Sequence, residues 1–203
     1  NKVNQIIEKK QLKTCPEIIV VTKTFPFEKI IPILDSGHLH FGENKIQEAE
    51  IKWTEGKKKY KDIQLHMLGK LQSNKAKKAI KIFDYIHSLD NERLALKLHE
   101  SEKLLNKKVK YFIQINVGEE IQKSGISINQ LNDFHNYCIN DLSLDVIGLM
   151  CIPPLDSKPS KFFSMLSKYS TNFNLKELSM GMSGDFELAV EEKSTFLRLG
   201  TAI

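Results

Sequence analysis

A chain of 203 residues with 41% hydrophobic and 27% charged residues has the apolar content for one substantial core, which excludes an intrinsically disordered chain. Its net charge of +5 reflects a lysine excess, with only Arg93 and Arg198 as arginines among 30 basic residues; with no recognised motif or aromatic-interleaved strand, this does not point to specific nucleic-acid binding. No apolar run approaches a bilayer span, and Cys15, Cys138 and Cys151 are too far apart for metal or redox spacing, which reads as reduced thiols in the cytoplasm.

In chain order, Asn1 to Lys13 is amphipathic and lysine-rich, without a signal-peptide core. A first strand is predicted at Glu17–Thr24. A helix follows over Phe25–Ser36, with Pro26 just inside its start and Gly37 just past its end. Strands are predicted at His38–Asn44, Ile63–Gly69 and Tyr85–Asp90, and the Lys57-Lys58-Lys59 and Lys77-Lys78 runs read as solvated helix faces or loop tips. Asn91–Leu105 carries Leu94, Leu98 and Leu105 at helical spacing, with charges between. Strand Val109–Gly118, helix Ile128–Asn140, strand Leu144–Ile152 and helix Lys161–Asn172 come next. Strand Glu177–Ser183, a helical Phe186–Lys193 and strand Thr195–Ala202 complete the pattern. Several of these strands are apolar on both faces, as parallel strands buried between layers are. Such alternation favours a single (β/α)8 TIM-type barrel domain over residues 1–203. An open doubly wound sheet is the alternative, because strand order is not written in the sequence.

In a barrel, function sits at the carboxyl ends of the strands, which selects Lys23, Asn44, His66, Asp90, Asn116, Met150, Ser183 and Arg198 with Gly200. Lys23 shares a strand face with Ile19 and Val21. If that face is the interior, the amine is semi-buried, desolvation lowers its pKa, and it can condense with an aldehyde; the bland alternative is a lysine past the strand end with its head in water. The run Ser179-Met180-Gly181-Met182-Ser183-Gly184-Asp185 joins a strand to a helix, where amide groups can converge on an anion. Gly200-Thr201 would fall beside it, and loops after the last two strands recurrently hold phosphate; a tight turn with a serine or aspartate cap is the equal alternative. Arg198 stands in the apolar Phe196-Leu197-Arg198-Leu199-Gly200 strand, where its planar fork fixes a hydrogen bond or a structural ion pair. His38 and His40 have the alternate spacing of metal ligands but begin their strand and lack a third ligand, so no metal site is expected. His66 reads either as a residue stacking on a ring or as a satisfied core histidine.

A longer pattern overlies these residues. Val20-Val21-Thr22-Lys23-Thr24, Phe41-Gly42-Glu43-Asn44 with Gln47-Glu48, and the block from His66 to Lys75 come first. Lys123-Ser124-Gly125, Gly148-Leu149-Met150 with Ile152-Pro153, Gly181 to Asp185, and Arg198 to Ile203 follow. Together they resemble the pyridoxal phosphate homeostasis proteins, a family with the alanine racemase N-terminal barrel, over nearly the whole chain. The resemblance implies that pyridoxal 5′-phosphate (PLP) is held as a Schiff base on Lys23. It implies phosphate contacts from Ser183, Gly184, Gly200 and Thr201, and Arg198 at the pyridine nitrogen. Asn44 and His66 would line the ring, with Met150 and Ser179 as further pocket residues. Thr22 stands where serine is usual, and Lys193 where glycine is common.

The same resemblance implies a carrier or regulator of PLP supply, with transient apo PLP enzymes as partners, no membrane or specific nucleic-acid partner, and no catalytic residues. A PLP-dependent amino-acid racemase-like enzyme is the main alternative, and a weak RNA-binding protein using the lysine runs is the second. Racemases on this barrel resemble the chain only in that part and use a further domain to supply an opposing base, which 203 residues leave no room for. A monomer is expected, since no additional interface element is apparent.

Overall fold

The structure is a computed structural model that describes residues 2–12, 15–120 and 122–201. The strands are β1 (Glu17–Val21), β2 (His40–Glu43), β3 (Gln64–Met67), β4 (Tyr85–Leu89), β5 (Lys110–Ile115), β6 (Asp145–Cys151), β7 (Glu177–Met182) and β8 (Phe196–Leu199). They pair in sequence order, all in parallel, and β8 returns to β1 from Glu17↔Phe196 to Val20↔Leu199. This closes a (β/α)8 barrel and removes the open-sheet alternative.

The helices are α1 (Lys2–Lys10), α2 (Phe27–Asp35), α3 (Ile46–Lys59), α4 (Ala76–Ile82), α5 (Glu92–Leu105), α6 (Leu131–Asn136), α7 (Pro159–Asn172) and α8 (Phe186–Glu191). The chain after α6 continues through one wider helical turn, Tyr137–Asp141. In α5, Asn91 Oδ1 accepts the Leu94 N–H at 2.9 Å and Asn106 closes the helix at φ 47°; this is a side-chain cap at one end and a left-handed stop at the other. Its buried Leu94, Ala95 and Leu98 form one stripe against the strands.

Two apolar layers result. Outward strand residues such as Phe41, Leu65, Met67 and Ile113 pack with Trp53, Leu98, Phe163 and Ala189 of the helices in one continuous core. Inward residues Ile19, Phe112, Met150 and Phe196, with Leu68 and Tyr85, fill the barrel itself. The period of two along each strand produces this sorting.

Several expected boundaries shift. The expected first strand stops at Val21 rather than Thr24, because Thr24 turns into the left-handed region at φ 66°. The expected His38–Asn44 strand contracts to His40–Glu43, and the helix expected over Phe186–Lys193 ends at Glu191. Lys193 takes φ 66°, so the turn keeps the conformation suited to glycine at the cost of lysine strain. Lys57 is not solvated as expected: it is partly buried and ties α3 to the Ile82 carbonyl and the Asp84 carboxylate. Asn1, Lys13 and Ala202, which bound expected segments, and Ile203 lie outside the described residues.

Candidate functional site

At the carboxyl end of the barrel the strand ends surround an open cavity of about 610 Å³. The alternation that sends Ile19 into the interior brings Val21 and then Lys23 up the same face, so Lys23 is on the cavity wall. Its side chain is exposed, not semi-buried as expected, since β1 has already ended beneath it.

Just below, the chain is anchored by a buried ion pair. Glu43, 0% exposed, accepts through Oε1 from Thr22 Oγ1 at 2.7 Å, Lys52 Nζ at 2.7 Å and Trp53 Nε1 at 3.0 Å. Lys52 also donates to the Thr22 carbonyl oxygen. The residue before Lys23 is thereby bound to β2 and α3, which fixes where the amine leaves the barrel rim. Gly69, also on the wall, passes so close to Asn44 that a Cβ would lie 2.2 Å from the Asn44 carbonyl oxygen, so only glycine fits there.

Beside the end of β1, the turns after β7 and β8 lie next to one another, and Gly200 comes against Val21. Ser183 Oγ accepts the Gly200 N–H at 3.3 Å, and Asp185 Oδ1 accepts the Met182 N–H at 2.6 Å. Among the described residues, no backbone hydrogen bond takes the amides of Ser183, Gly184 or Thr201. Gly184 and Thr201 are exposed. The serine–glycine turn thus offers N–H groups to a ligand. Arg198 rises from β8 between this turn and the interior, 5% exposed, and donates through Nη1 to Ser179 Oγ at 2.7 Å and through Nη2 to the Cys151 carbonyl oxygen at 2.9 Å. Among the described residues no carboxylate binds it; neutral acceptors stand where a structural ion pair was considered from sequence.

Of the residues expected at the site, Lys23, Asn44, Asn116, Ser183, Gly184, Arg198, Gly200 and Thr201 line the cavity. His66, Met150 and Ser179 do not: each is fully buried in the barrel interior, below the wall. His66 is the satisfied core histidine, with both ring nitrogens bonded to other histidines. It sits one layer too deep because Leu68 and Gly69 follow it to the rim. Asp90 is also away from the wall, held against the Asn91 amide.

The wall further includes Lys70, Gln114, Lys123 and Ser124. The loop after β5 folds back so that Ile126 pairs with Ile115, and Gln114 Nε2 donates to the Ser124 carbonyl oxygen at 3.3 Å. Gly125 permits this fold at φ 116°, where a Cβ would meet the Asn116 nitrogen at 2.5 Å. Lys70, Lys123 and Ser124 already stood in the blocks that carry the family resemblance, and Gly125 was the available signal for Gln114. Lys23, Lys70, Lys123 and Arg198 give the cavity four cations, with no aspartate or glutamate among the described residues that line it; Lys123 is paired with Glu120. Such a wall attracts anions.

Burial dominates the electrostatics beneath. It pulls the His66 and His87 pKa values well below the ordinary 6.5, with His87, His40 and Lys57 assisting at His66 and Arg198 at His87. It pushes the Cys151 thiol up to about 12 against the opposing charge of Arg198. Both histidines are therefore neutral when folded. As pH falls below about 6.5 the unfolded chain takes up protons that the folded barrel refuses, and stability declines. The expected slope is up to about 1.4 kcal/mol per pH unit for each ring. Urea unfolding midpoints should drop between about pH 7 and pH 5.5; equal midpoints would show that the two rings accept protons in place.

The amine, the anion-receptive turn and the buried arginine are spaced around one cavity, and a planar aldehyde with an anionic tail fits that donor set. A family model described as "Alanine racemase, N-terminal domain" matches residues 4–203. The chain is 37% identical over 202 residues to the pyridoxal phosphate homeostasis protein of Synechocystis sp., covering 92% of this chain and 89% of that one. It is 34% identical over 197 residues to the protein of the same name from Vibrio cholerae, covering 92% and 84%. Among solved structures, PipY of Synechococcus elongatus with PLP bound superposes with a TM-score of 0.85 at 32% identity, covering 98% of both chains. An alanine racemase of Clostridium difficile shares the fold at 16% identity and a TM-score of 0.73, over 98% of this chain and 54% of that one.

Proposed function

Because the chain belongs to the pyridoxal phosphate homeostasis protein family, we propose that it binds PLP in this cavity, with Lys23 as the covalent anchor. The observation that carries the reading is the placement of the exposed Lys23, at the end of β1, on the same cationic cavity wall as the Ser183–Gly184 turn and the adjoining Gly200. Condensation of the Lys23 amine with the aldehyde forms a carbon–nitrogen double bond and releases water. Ser183 and the neighbouring amides, with Gly200 and Thr201, would hold the phosphate, and Arg198 would supply the charge beneath the ring.

We further assign it a carrier role, supplying or withholding the cofactor for other enzymes in the cytoplasm. Among the described residues, the cavity lining contains no histidine, tyrosine or carboxylate to serve with Lys23 as an acid–base pair of the kind that each contributes about 10²–10⁴-fold to catalysis. That favours holding the cofactor over turning over an amino acid on it.

The anion turn makes the reading testable. Pyridoxal, which lacks the phosphate, should bind at least about 100-fold more weakly than PLP, a difference of about 2.7 kcal/mol. Inorganic phosphate should compete with PLP. Equal affinity for the two aldehydes in a spectroscopic titration would remove the phosphate site from the account.

A further inference from the structure

A line of polar side chains crosses the apolar interior from one mouth of the barrel to the other. His40 Nδ1 lies 2.9 Å from His66 Nε2, His66 Nδ1 lies 2.9 Å from His87 Nε2, and His87 Nδ1 lies 2.8 Å from Ser179 Oγ. Ser179 Oγ accepts from Arg198 Nη1 at 2.7 Å. At the amino-terminal mouth, His40 Nε2 lies 3.8 Å from Glu17 Oε2.

The two ends set the direction of every bond between them. A guanidinium only donates, so Ser179 accepts from Arg198 and gives its own hydrogen to His87 Nδ1. His87 then carries its proton on Nε2 and donates to His66 Nδ1. His66 donates from Nε2 to His40 Nδ1, and His40 presents its Nε2–H to the Glu17 carboxylate. In this arrangement every donor between Arg198 and His40 meets an acceptor, and the His40 Nε2–H is turned toward a carboxylate 3.8 Å away. In the reverse one, Ser179 faces two donors, its own hydrogen has no acceptor among the described residues, and a bare His40 nitrogen faces a carboxylate.

We propose that His87 and Ser179 are positioning residues for Arg198, and that the chain they complete couples protonation of His40 at one mouth to the hydroxyl direction of Ser179 beneath the cavity at the other. A doubly protonated His40 turns an N–H toward the N–H of His66. The conflict is relieved when His66 and then His87 carry their protons on Nδ1, and Ser179 accepts from both His87 and Arg198. One proton is gained at His40 and none is lost elsewhere.

His40 is the member that reaches solvent, with its side chain 15% exposed. It faces Glu17 from β1, His66 from β3, the Tyr85 ring from β4 with Lys110 of β5 above that ring, and the apolar Phe196 from β8, with His38 on its own segment. Burial lowers its pKa and Glu17 opposes that, while deeper burial holds His66 and His87 neutral. His40 is thus the natural entry point for a proton.

The consequence for a ligand rests on the cofactor reading above; the relay itself does not. Protein labelled with ¹⁵N in histidine, without added cofactor, is titrated from about pH 8 to about pH 5 and the ring nitrogens are followed by NMR. His66 and His87 should both start as Nε2–H tautomers and cross to Nδ1–H with the midpoint of His40. In His40→Asn, whose amide oxygen keeps the acceptor for His66 but does not titrate, neither should cross. Tautomers that stay put while His40 titrates, or that cross unchanged in His40→Asn, would overturn the relay. With PLP added, Ser179→Ala should move the pH midpoint of the cofactor's visible band by at least about 0.5 unit, a threefold change in proton affinity; an unmoved midpoint would remove the positioning role. If the wild-type protein takes up no PLP, the cofactor reading fails, and the NMR titration still decides the relay.

Discussion

Replacing Lys52 with methionine is expected to cost about 3–5 kcal/mol of folding stability, the range for removing one partner of a buried ion pair. Lys52 is 9% exposed and Glu43 is 0% exposed. Methionine fills the aliphatic path of the lysine but leaves the Glu43 charge without its counterion. The carboxylate would keep only the Thr22 and Trp53 donors on Oε1, and its Oε2 already has no partner among the described residues. The Thr22 carbonyl would lose the same ammonium, loosening the segment that presents Lys23. Neutralising both sides, Glu43→Gln with Lys52→Met, should be milder than the single change, because no buried charge is stranded. Urea denaturation of the three proteins measures this; a single variant within about 1 kcal/mol of wild type would mean that water already reaches Glu43.

The eight strands were legible because each is a short apolar run between helix signals, and the core depends on that pattern. Helices α3 and α4 were not picked out. The buried stripe of α3 is Ile46, Ala49, Lys52, Trp53 and Gly56, and a lysine and a glycine within it blur the apolar period on which sequence reading relies. Nothing in the sequence sets Lys52 apart in a lysine-rich chain; only the closure of β2 against α3 reveals its partner nine positions earlier.

At the site, the strand-end rule selected Lys23, Asn44, Ser183 and Arg198 because alternation and chain direction suffice to place them. His66, Met150 and Ser179 were placed one layer too high, since depth in a barrel depends on inter-strand register, such as His66 opposite Gly42, which no single strand encodes. The histidine chain was hidden for the same reason. His40, His66 and His87 lie 26 and 21 residues apart, and only the stagger of β2, β3 and β4 stacks them.

Lys23→Ala is expected to abolish the visible absorption of a covalently bound cofactor while leaving a weaker, phosphate-dependent association. Alanine removes the only nucleophile that the β1 face brings to the rim, but not the Ser183–Gly184 turn or Arg198. Lys23→Arg should behave in the same way. It restores the positive charge, yet a guanidinium stays protonated and does not condense with an aldehyde. A visible band that survived in either variant would assign the covalent role to another amine, with Lys70 and Lys123 on the same wall as the candidates.

Borohydride reduction of the PLP-loaded wild-type protein, followed by mass mapping of its peptides, puts the matter to one residue. The expected result is a single stoichiometric adduct on the peptide containing Lys23, suppressed by excess inorganic phosphate. An adduct scattered over surface lysines, with Lys23 unmodified, would contradict a barrel rim built to present that amine to an aldehyde.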